Sequence, residues 1–202
     1  MAMGRPREFD VDRALDQALD VFWRHGYEGT SLSDLTEAMG VTRPSLYAAF
    51  GNKEELFRKV LDRYGAMRTD PSCDVLNEPT SRRAVERLLL SFAGAGSGDD
   101  APRGCLMVQG ALVCSEASDA IRQELTARRA QGEARLRDRL EEWQAAGDLP
   151  ADANPECLAR YVMAVANGMA VQATGGASPD DLKNVVELTM KGWPAPPAAA
   201  PA

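Results

Sequence analysis

The stretch from residue 30 to residue 56 constrains the fold of this chain most, because it contains the start and stop signals of three short helices. Ser31 and Asp34 form the S-x-x-D pattern of a capping box at the first helix start, and Gly40 follows its last turn. Thr42 then begins a second helix after a turn of only three residues. Two short helices joined so tightly predict a helix-turn-helix, whose second helix enters the major groove of duplex DNA.

The second of these helices has the features of a recognition helix. Pro44 lies in its first turn, where the missing amide hydrogen costs no hydrogen bond. Leu46 and Phe50 are four residues apart and predict its buried face. The outer side should therefore meet base edges and phosphates. The polar and small residues on that side are Arg43, Ser45, Tyr47 and Ala48. Tyr47 could instead belong to the core, and Arg43 could be an ordinary surface arginine.

Composition and charge narrow the class of protein. The 202 residues hold no apolar run near the roughly 18 residues of a membrane span and no hydrophobic signal region, so we expect a cytoplasmic protein. The formal net charge of −7 argues at first sight against DNA. Residues 1–65 nevertheless carry nine Lys and Arg against eleven Asp and Glu, and Arg5, Arg7, Arg43 and Lys53 fall at the N-terminal tail and the helix starts.

Cysteine and histidine usage predicts no metal and no other cofactor. The four cysteines, Cys73, Cys105, Cys114 and Cys157, form no C-x-x-C pair, and His25 is the only histidine. Cys105 and Cys114 lie nine residues apart in one predicted helix, so they point to opposite sides of it and cannot share an ion. We expect reduced thiols and a surface histidine.

Helical periodicity continues through the rest of the chain and predicts an all-α fold. Before the helix-turn-helix, a helix capped by Asp10 and stopped at Gly26 should support it. After it, a connector helix should run from Lys53 past Tyr64. Further helices are predicted near residues 84–95, 105–114, 121–143, 158–172 and 181–191. We therefore divide the chain into a DNA-binding head (1–52), a connector (53–66), a helical ligand-binding and dimerisation body (67–192) and a disordered Pro/Ala tail (193–202).

The head resembles that of the TetR (tetracycline repressor-like) family of transcriptional regulators. The matching segments are FWRHGYEGTS at 22–31, AMGV at 38–41, LYAAF at 46–50 and KEEL at 53–56. They match the family pattern nearly position by position over about a quarter of the chain. In the body, the resemblance rests on helix number and on GCL at 104–106, which is similar to a sequence in one broad subgroup.

The resemblance implies a two-fold homodimer, a small-molecule pocket in the body, and release from operator DNA when that pocket is filled. By position, Thr42 and Tyr47 would hold phosphates, Arg43 and Ser45 would reach bases, and Lys53 would hold phosphate. Arg5 and Arg7 would form a flexible arm. The full predicted set of DNA-binding residues is Arg5, Arg7, Ser31, Thr42, Arg43, Pro44, Ser45, Tyr47 and Lys53.

Polar residues on apolar helices suggest where an effector could bind. Gln109 and Asn167 either bond to a neighbouring helix or anchor a ligand, since an unpaired buried amide is costly. Cys105 is either a small buried hydrophobe or, near Arg103 at a helix start, a thiol that senses electrophiles or oxidants. The predicted pocket set is Tyr64, Phe92, Cys105, Met107, Gln109, Val113, Met163 and Asn167, and the connector helix would transmit its filling to the head.

The last two predicted helices supply a candidate dimer surface. The first is almost entirely apolar or small, and Ala164 and Gly168 would allow close helix approach, so four helices could pack across a two-fold axis. The predicted dimer residues are Leu158, Tyr161, Val165, Gly168, Leu182, Val185 and Val186. Two other classes stay open: a helical enzyme, although no His pair, phosphate loop or carboxylate dyad is evident, and an adaptor whose head binds protein.

Overall fold

The computed structural model describes residues 9–69, 74–94, 102–112 and 118–195, and within these ranges the chain is helical without strands. The all-α prediction is confirmed. The helices are α1 (Val11–Gly29), α2 (Leu32–Met39), α3 (Arg43–Phe50), α4 (Lys53–Thr69), α5 (Ser81–Gly94), α6 (Leu106–Leu112), α7 (Asp119–Ala145), α8 (Pro155–Thr174) and α9 (Pro179–Lys191). A short 3-10 helix spans Val75–Asn77. The chain forms two compact units that divide between residues 69 and 70.

The first unit is built around α1, which packs against both α2 and α4. Its core contains Phe22 and Phe57, whose rings meet edge to face with centroids 4.8 Å apart. Leu35 of α2 and Leu46 of α3 are fully buried. Each such side chain contributes about 1.5–3 kcal/mol by leaving water. These buried residues fix how the two short helices lie on α1 and α4.

Helix α1 departs from its predicted end. The helical backbone is interrupted at Gly26, as its sequence suggested, but a further turn follows and the helix continues to Gly29. Gly26 has φ 70° and ψ 176°, which favours glycine. The Thr30 hydroxyl donates to the Gly26 carbonyl at 2.7 Å and secures this extra turn. Beyond the kink, the Tyr27 ring packs against Phe57 with centroids 5.0 Å apart and the ring planes inclined at 54°.

The second unit packs α5 against α8 and α9, and α7 against α6 and α8. Its buried side chains include Leu89, Ile121, Leu140 and Val162. The helix predicted at 105–114 is α6, and Cys105 lies immediately before it rather than inside it. The Cys105 carbonyl accepts from the amides of the third and fourth residues beyond it, both at 3.0 Å. Cys114 lies outside the described residues. None of the helices described for this chain combines the length and hydropathy needed to span a membrane.

The disordered tail is predicted to start at residue 193, but Trp193 is packed into the second unit. Trp193 is only 5% exposed, and its indole Nε1 donates to the Ser81 hydroxyl at 3.3 Å. The Ser81 amide in turn donates to the Asp148 carboxylate at 2.7 Å. A large aromatic side chain whose N–H has a partner gains free energy by burial. Trp193 therefore belongs to the folded second unit, although a Pro/Ala-rich segment follows it.

Candidate nucleic-acid interface

The start of α2 is closed by the predicted capping box. The Asp34 amide donates to the Ser31 hydroxyl at 3.1 Å, and the Ser31 amide donates to the Asp34 carboxylate at 2.8 Å. Hydrogen bonds to the Asp34 carboxylate from the backbone and the side chain of Ser31 lower the pKa of Asp34 below its usual value. Gly40 ends α2 with φ 64°, so the chain turns at once toward α3. Ser31 therefore orders the first helix of the helix-turn-helix.

The start of α3 presents polar groups as predicted. The Thr42 hydroxyl accepts from the Ser45 amide at 3.3 Å, and the two hydroxyls lie 2.9 Å apart. Pro44 occupies the first turn. Leu46 and Phe50 are buried, whereas Tyr47 is 48% exposed. Tyr47 is therefore a surface side chain and not part of the core.

Arg43, the first residue of α3, extends back to α2. Its guanidinium Nη2 donates to the Ser33 hydroxyl at 2.9 Å, and both side chains are exposed. The sequence pattern did not identify Ser33, because a hydrogen bond between residues ten apart depends on how the two helices pack. This bond joins the two helices at the surface that the head would present to DNA.

The start of α4 carries a second cationic group. Asn52 and Glu55 cap each other, each side chain accepting from the other's amide at 2.9 Å. Lys53 lies beside this cap, and its Nζ is 4.4 Å from the centroid of the Tyr27 ring. Partial burial lowers the pKa of Lys53, while the charges of Glu28 and Asp34 act in the opposite direction. The helix start and the ammonium together supply the positive charge and free amides that favour a nearby anion.

Arginines of α1 and α4 form ion pairs with acidic side chains of α1. Arg63 donates to both carboxylate oxygens of Asp16 at 2.8 Å and to Asp12 at 3.0 Å. Asp20 forms an ion pair with Arg24 at 2.9 Å. These pairs account for several negative charges of the first unit away from Arg43 and Lys53. Arg5 and Arg7, the predicted arm, lie outside the described residues.

The predicted pocket residues differ in their surroundings. Phe92 and Cys105 are buried in the second unit, and Met107, Gln109, Met163 and Asn167 are partly exposed there. Tyr64 is buried within the first unit, and Val113 lies outside the described residues. The Gln109 amide donates to the Arg103 carbonyl at 2.6 Å, so it closes the turn before its own helix instead of bonding to a neighbouring helix.

Gly104 explains why this turn lies close to α8. It has φ 78°, and a Cβ placed on it would lie 2.8 Å from the carbonyl oxygen of Ala170. The glycine therefore lets the segment before Cys105 approach the backbone of α8. Cys105, next in sequence, is only 5% exposed.

The candidate dimer surface needs one correction. Leu182 and Val186 are 3% and 2% exposed within a single protomer, so they belong to its core and add little to an outer surface. Helix α9 packs on α5 through this face. Its outward apolar side chains are Val185 and, unforeseen from the sequence, Leu188, which is 71% exposed. The spacing of three residues places both on one side of the helix.

Helix α8 adds an exposed stripe to this surface. Tyr161, Ala164, Gly168 and Val171 are exposed, with successive spacings of three or four residues. Leu158 and Val165 are partly buried. Such spacing defines a single helix face. No group of three or more His, Cys, Asp or Glu side chains among the residues described could hold a metal ion.

A helix-turn-helix unit with exposed cations, followed by a larger helical unit, defines a DNA-binding regulator. Residues 14–60 match the family model described as "Bacterial regulatory proteins, tetR family". Residues 83–188 match the one described as "Tetracyclin repressor-like, C-terminal domain". The chain belongs to the TetR family of transcriptional regulators.

Individual relatives extend over most of the chain. The HTH-type transcriptional repressor ComR of Escherichia coli K12 is 38% identical over 196 residues, which cover 95% of this chain and 92% of ComR. The repressor BdcR of the same strain is 35% identical over 109 residues, covering 53% of this chain and 55% of BdcR. A solved structure of a triple cysteine variant of the TetR-family regulator CifR, complexed with a 26-bp operator, has a TM-score of 0.88 and 44% identity. That match covers 95% of this chain and all of the CifR chain.

Proposed function

We propose that this protein is a ligand-responsive transcriptional repressor that binds a pseudo-palindromic operator as a homodimer. The observation that carries the proposal is the set of exposed Arg43 and Tyr47 on α3 and partly exposed Lys53 at the capped start of α4. Similarity to repressors and to an operator-bound structure supports it. Because a repressor acts on chromosomal DNA, we propose a cytoplasmic protein, and we propose no enzymatic activity.

In this proposal the contacts divide by chemistry. Thr42, Tyr47 and Lys53, with the amides at the start of α4, hold phosphates and fix the position of the unit on the duplex. Arg43 and Ser45 reach base edges, and Ser31 and Pro44 shape the helix starts. Residues 1–52 then act as the DNA-binding head and α4 as the connector. The second unit binds the effector and the second protomer.

The dimer forms through α8 and α9. The exposed residues Tyr161, Gly168, Val185 and Leu188 are apolar or small, so a two-fold copy can cover them with the same face. A two-fold dimer presents its recognition helices to half-sites about 34 Å apart. This requires an operator whose two halves are inverted copies.

The effector is a small, mostly apolar molecule bound in the second unit. Met107 and Met163 offer adaptable apolar contact, and Asn167 supplies a polar anchor. Gln109 is less suited to that task, since its amide already bonds to Arg103. The ligand lowers DNA affinity only if it binds the DNA-incompetent state more tightly, by about 1.4 kcal/mol for each tenfold loss.

A covalent sensor at Cys105 is the second candidate. It is favoured by the place of Cys105 directly before the first residue of α6, whereas the burial of Cys105 favours a packing role. Treating the protein with an electrophile separates the two. If Cys105 is the sensor, Cys105→Ser binds operator normally but no longer releases it. A Ser variant that responds as the parent does shows that the effector acts noncovalently.

Binding of the DNA upstream of the protein's own gene tests the regulator proposal. The parent should retard this duplex at low salt, and Lys53→Ala should weaken retardation of every duplex. Lys59→Ala is the matched control, because it removes an equal charge from an exposed position on the same helix. A folded protein that fails to retard its own upstream region, or equal losses in both lysine variants, contradicts the proposal.

A further inference from the structure

We propose that Ser33 is a positioning residue that sets the base preference of Arg43. The inference rests on the proposed binding of operator DNA and adds a determinant of its specificity. Ser33 is the second residue of α2, and Arg43 is the first residue of α3. The hydrogen bond from the Arg43 Nη2 to the Ser33 hydroxyl, 2.9 Å long, bridges the two helices of the helix-turn-helix.

The two ends of this bond are held by the fold and not by the bond itself. Leu35 and Leu46 are fully buried and fix the two helices on the core of the first unit. Gly40 sets the turn between them with φ 64°. The Ser33 hydroxyl is therefore presented at a fixed place, and the flexible partner is the long arginine side chain. The bond selects one arrangement of Arg43 from its many rotamers.

Selecting that arrangement before DNA arrives reduces the entropy lost on binding. An arginine side chain has several rotatable bonds, and immobilising it at an interface opposes association. In free solution the bond to Ser33 is exposed and weak. When DNA covers this surface and excludes water, the same bond becomes stronger. Ser33 should thus favour this arrangement of Arg43 weakly in the free protein and more strongly in the complex.

The bond orients the guanidinium while leaving it able to read a base. Its partner is a neutral hydroxyl, so the positive charge of Arg43 is not cancelled. A guanidinium has five N–H donors, and the bond to Ser33 uses one of them. The remaining donors can still form two parallel hydrogen bonds to O6 and N7 of guanine in the major groove. We therefore assign a guanine, one in each half-site, as the base that Arg43 reads.

Base-pair preference measured with four variants tests this assignment. The variants, compared with the parent, are Ser33→Ala, Ser33→Thr, Arg43→Ala and the double variant Ser33→Ala/Arg43→Ala. Each protein is titrated with the operator, with operators changed at single base pairs, and with a random duplex. Alanine is a better helix former than serine at this exposed position, so Ser33→Ala should stay folded. The random duplex reports phosphate binding, which a positioning role leaves unchanged.

Arg43→Ala should lose discrimination at one G·C pair in each half-site. Ser33→Ala should lose about two- to tenfold of the discrimination at that same pair, the range expected for one hydrogen bond. Ser33→Thr, which keeps the hydroxyl, should retain the preference. The double variant should be no worse than Arg43→Ala, because Ser33 acts through Arg43.

Other results overturn the inference in distinguishable ways. Unchanged base preference in Ser33→Ala, with the parent binding its operator, refutes the positioning role alone. Additive losses in the double variant, or a loss at a different base pair, show that Ser33 contacts DNA independently and also refute it. Loss of affinity for the random duplex identifies a phosphate contact instead. A parent that binds no operator overturns both this inference and the proposed function.

Discussion

The ammonium group of Lys53 lies 4.4 Å from the centroid of the Tyr27 ring. The ring is itself supported by Phe57, at a centroid distance of 5.0 Å. Tyr27 follows the kink at Gly26, whereas Lys53 is the first residue of α4. An aromatic face attracts a cation and restricts its position. The last turn of α1 thereby holds the lysine that we propose as a phosphate contact.

This arrangement predicts separable effects of the lysine and its aromatic support. Lys53→Ala should weaken binding to all duplexes and reduce the slope of log affinity against log salt by up to about one. Tyr27→Leu should weaken binding by about two- to fivefold, the value of an exposed cation–π contact of about 0.5–1 kcal/mol. Tyr27→Phe keeps the aromatic face and is the control. If salt titrations gave the same DNA affinity for Tyr27→Leu and Tyr27→Phe, the aromatic ring would have no part in holding Lys53 for DNA binding.

A second prediction concerns the junction between α3 and α4. Gly51 has φ 79° and ψ −148°, and a Cβ there would overlap the Glu55 carboxylate that caps Asn52. Gly51→Ala should therefore lower the free energy of unfolding by about 1–3 kcal/mol. Gly65→Ala is the control, because a Cβ there meets no atom within 4 Å and it lies inside α4. Chemical denaturation should show stabilisation in the control, by up to about 1 kcal/mol. Equal stability of the two variants would contradict the argument.

The capping box predicts a dependence of stability on pH. Hydrogen bonds from Ser31 lower the pKa of Asp34 in the folded protein. A lowered carboxyl pKa stabilises the fold above the unfolded value of about 3.9, and the stabilisation disappears as pH falls through the folded pKa. Asp34→Asn should thus be less stable than the parent near pH 7, with the difference shrinking in acid. Thermal melts at several pH values measure this, with the exposed Asp152→Asn as control. A constant difference down to low pH would show that ionisation of Asp34 is not involved.

The helix starts of the first unit were predictable from sequence because capping is local. Ser31 with Asp34, and Asn52 with Glu55, are residues three apart, so their hydrogen bonds depend on little beyond the neighbouring backbone. The buried pair Leu46 and Phe50 followed from helical spacing for the same reason. These features together define the helix-turn-helix.

Interactions between elements were not predictable in the same way. The bond between Arg43 and Ser33 requires the packing of α2 on α3, which no spacing rule specifies. An apolar stripe on α9 likewise does not reveal which part faces its own protomer, and Leu182 and Val186 proved to be internal. Trp193 was misassigned because Pro/Ala composition carries no information on its distant partner Ser81.

The two faces of α9 give a matched test of the proposed dimer. Leu188 is 71% exposed and Leu182 is 3% exposed on the same helix. Leu188→Glu should shift the protein from dimer to monomer in light scattering at micromolar concentration, with the helical signal retained. Leu182→Ala should instead destabilise the protomer by about 2–5 kcal/mol, since it creates a cavity in the core. A Leu188→Glu protein that stays dimeric would exclude this face from the interface.

The bonds from Trp193 to Ser81 and from Ser81 to Asp148 join the end of α9, the start of α5 and the loop after α7, and they predict how the second unit loses stability. Ser81 is 1% exposed, so Asp148→Ala leaves its amide without an acceptor and should cost about 1–3 kcal/mol of unfolding free energy. Trp193→Ala removes a buried aromatic side chain and should cost about 3–5 kcal/mol. Asp152→Ala, an exposed change in the same loop, should cost nothing measurable by denaturant unfolding. If Asp148→Ala has the same unfolding free energy as Asp152→Ala, the Ser81 amide has another acceptor and the loop contributes no stability through this bond.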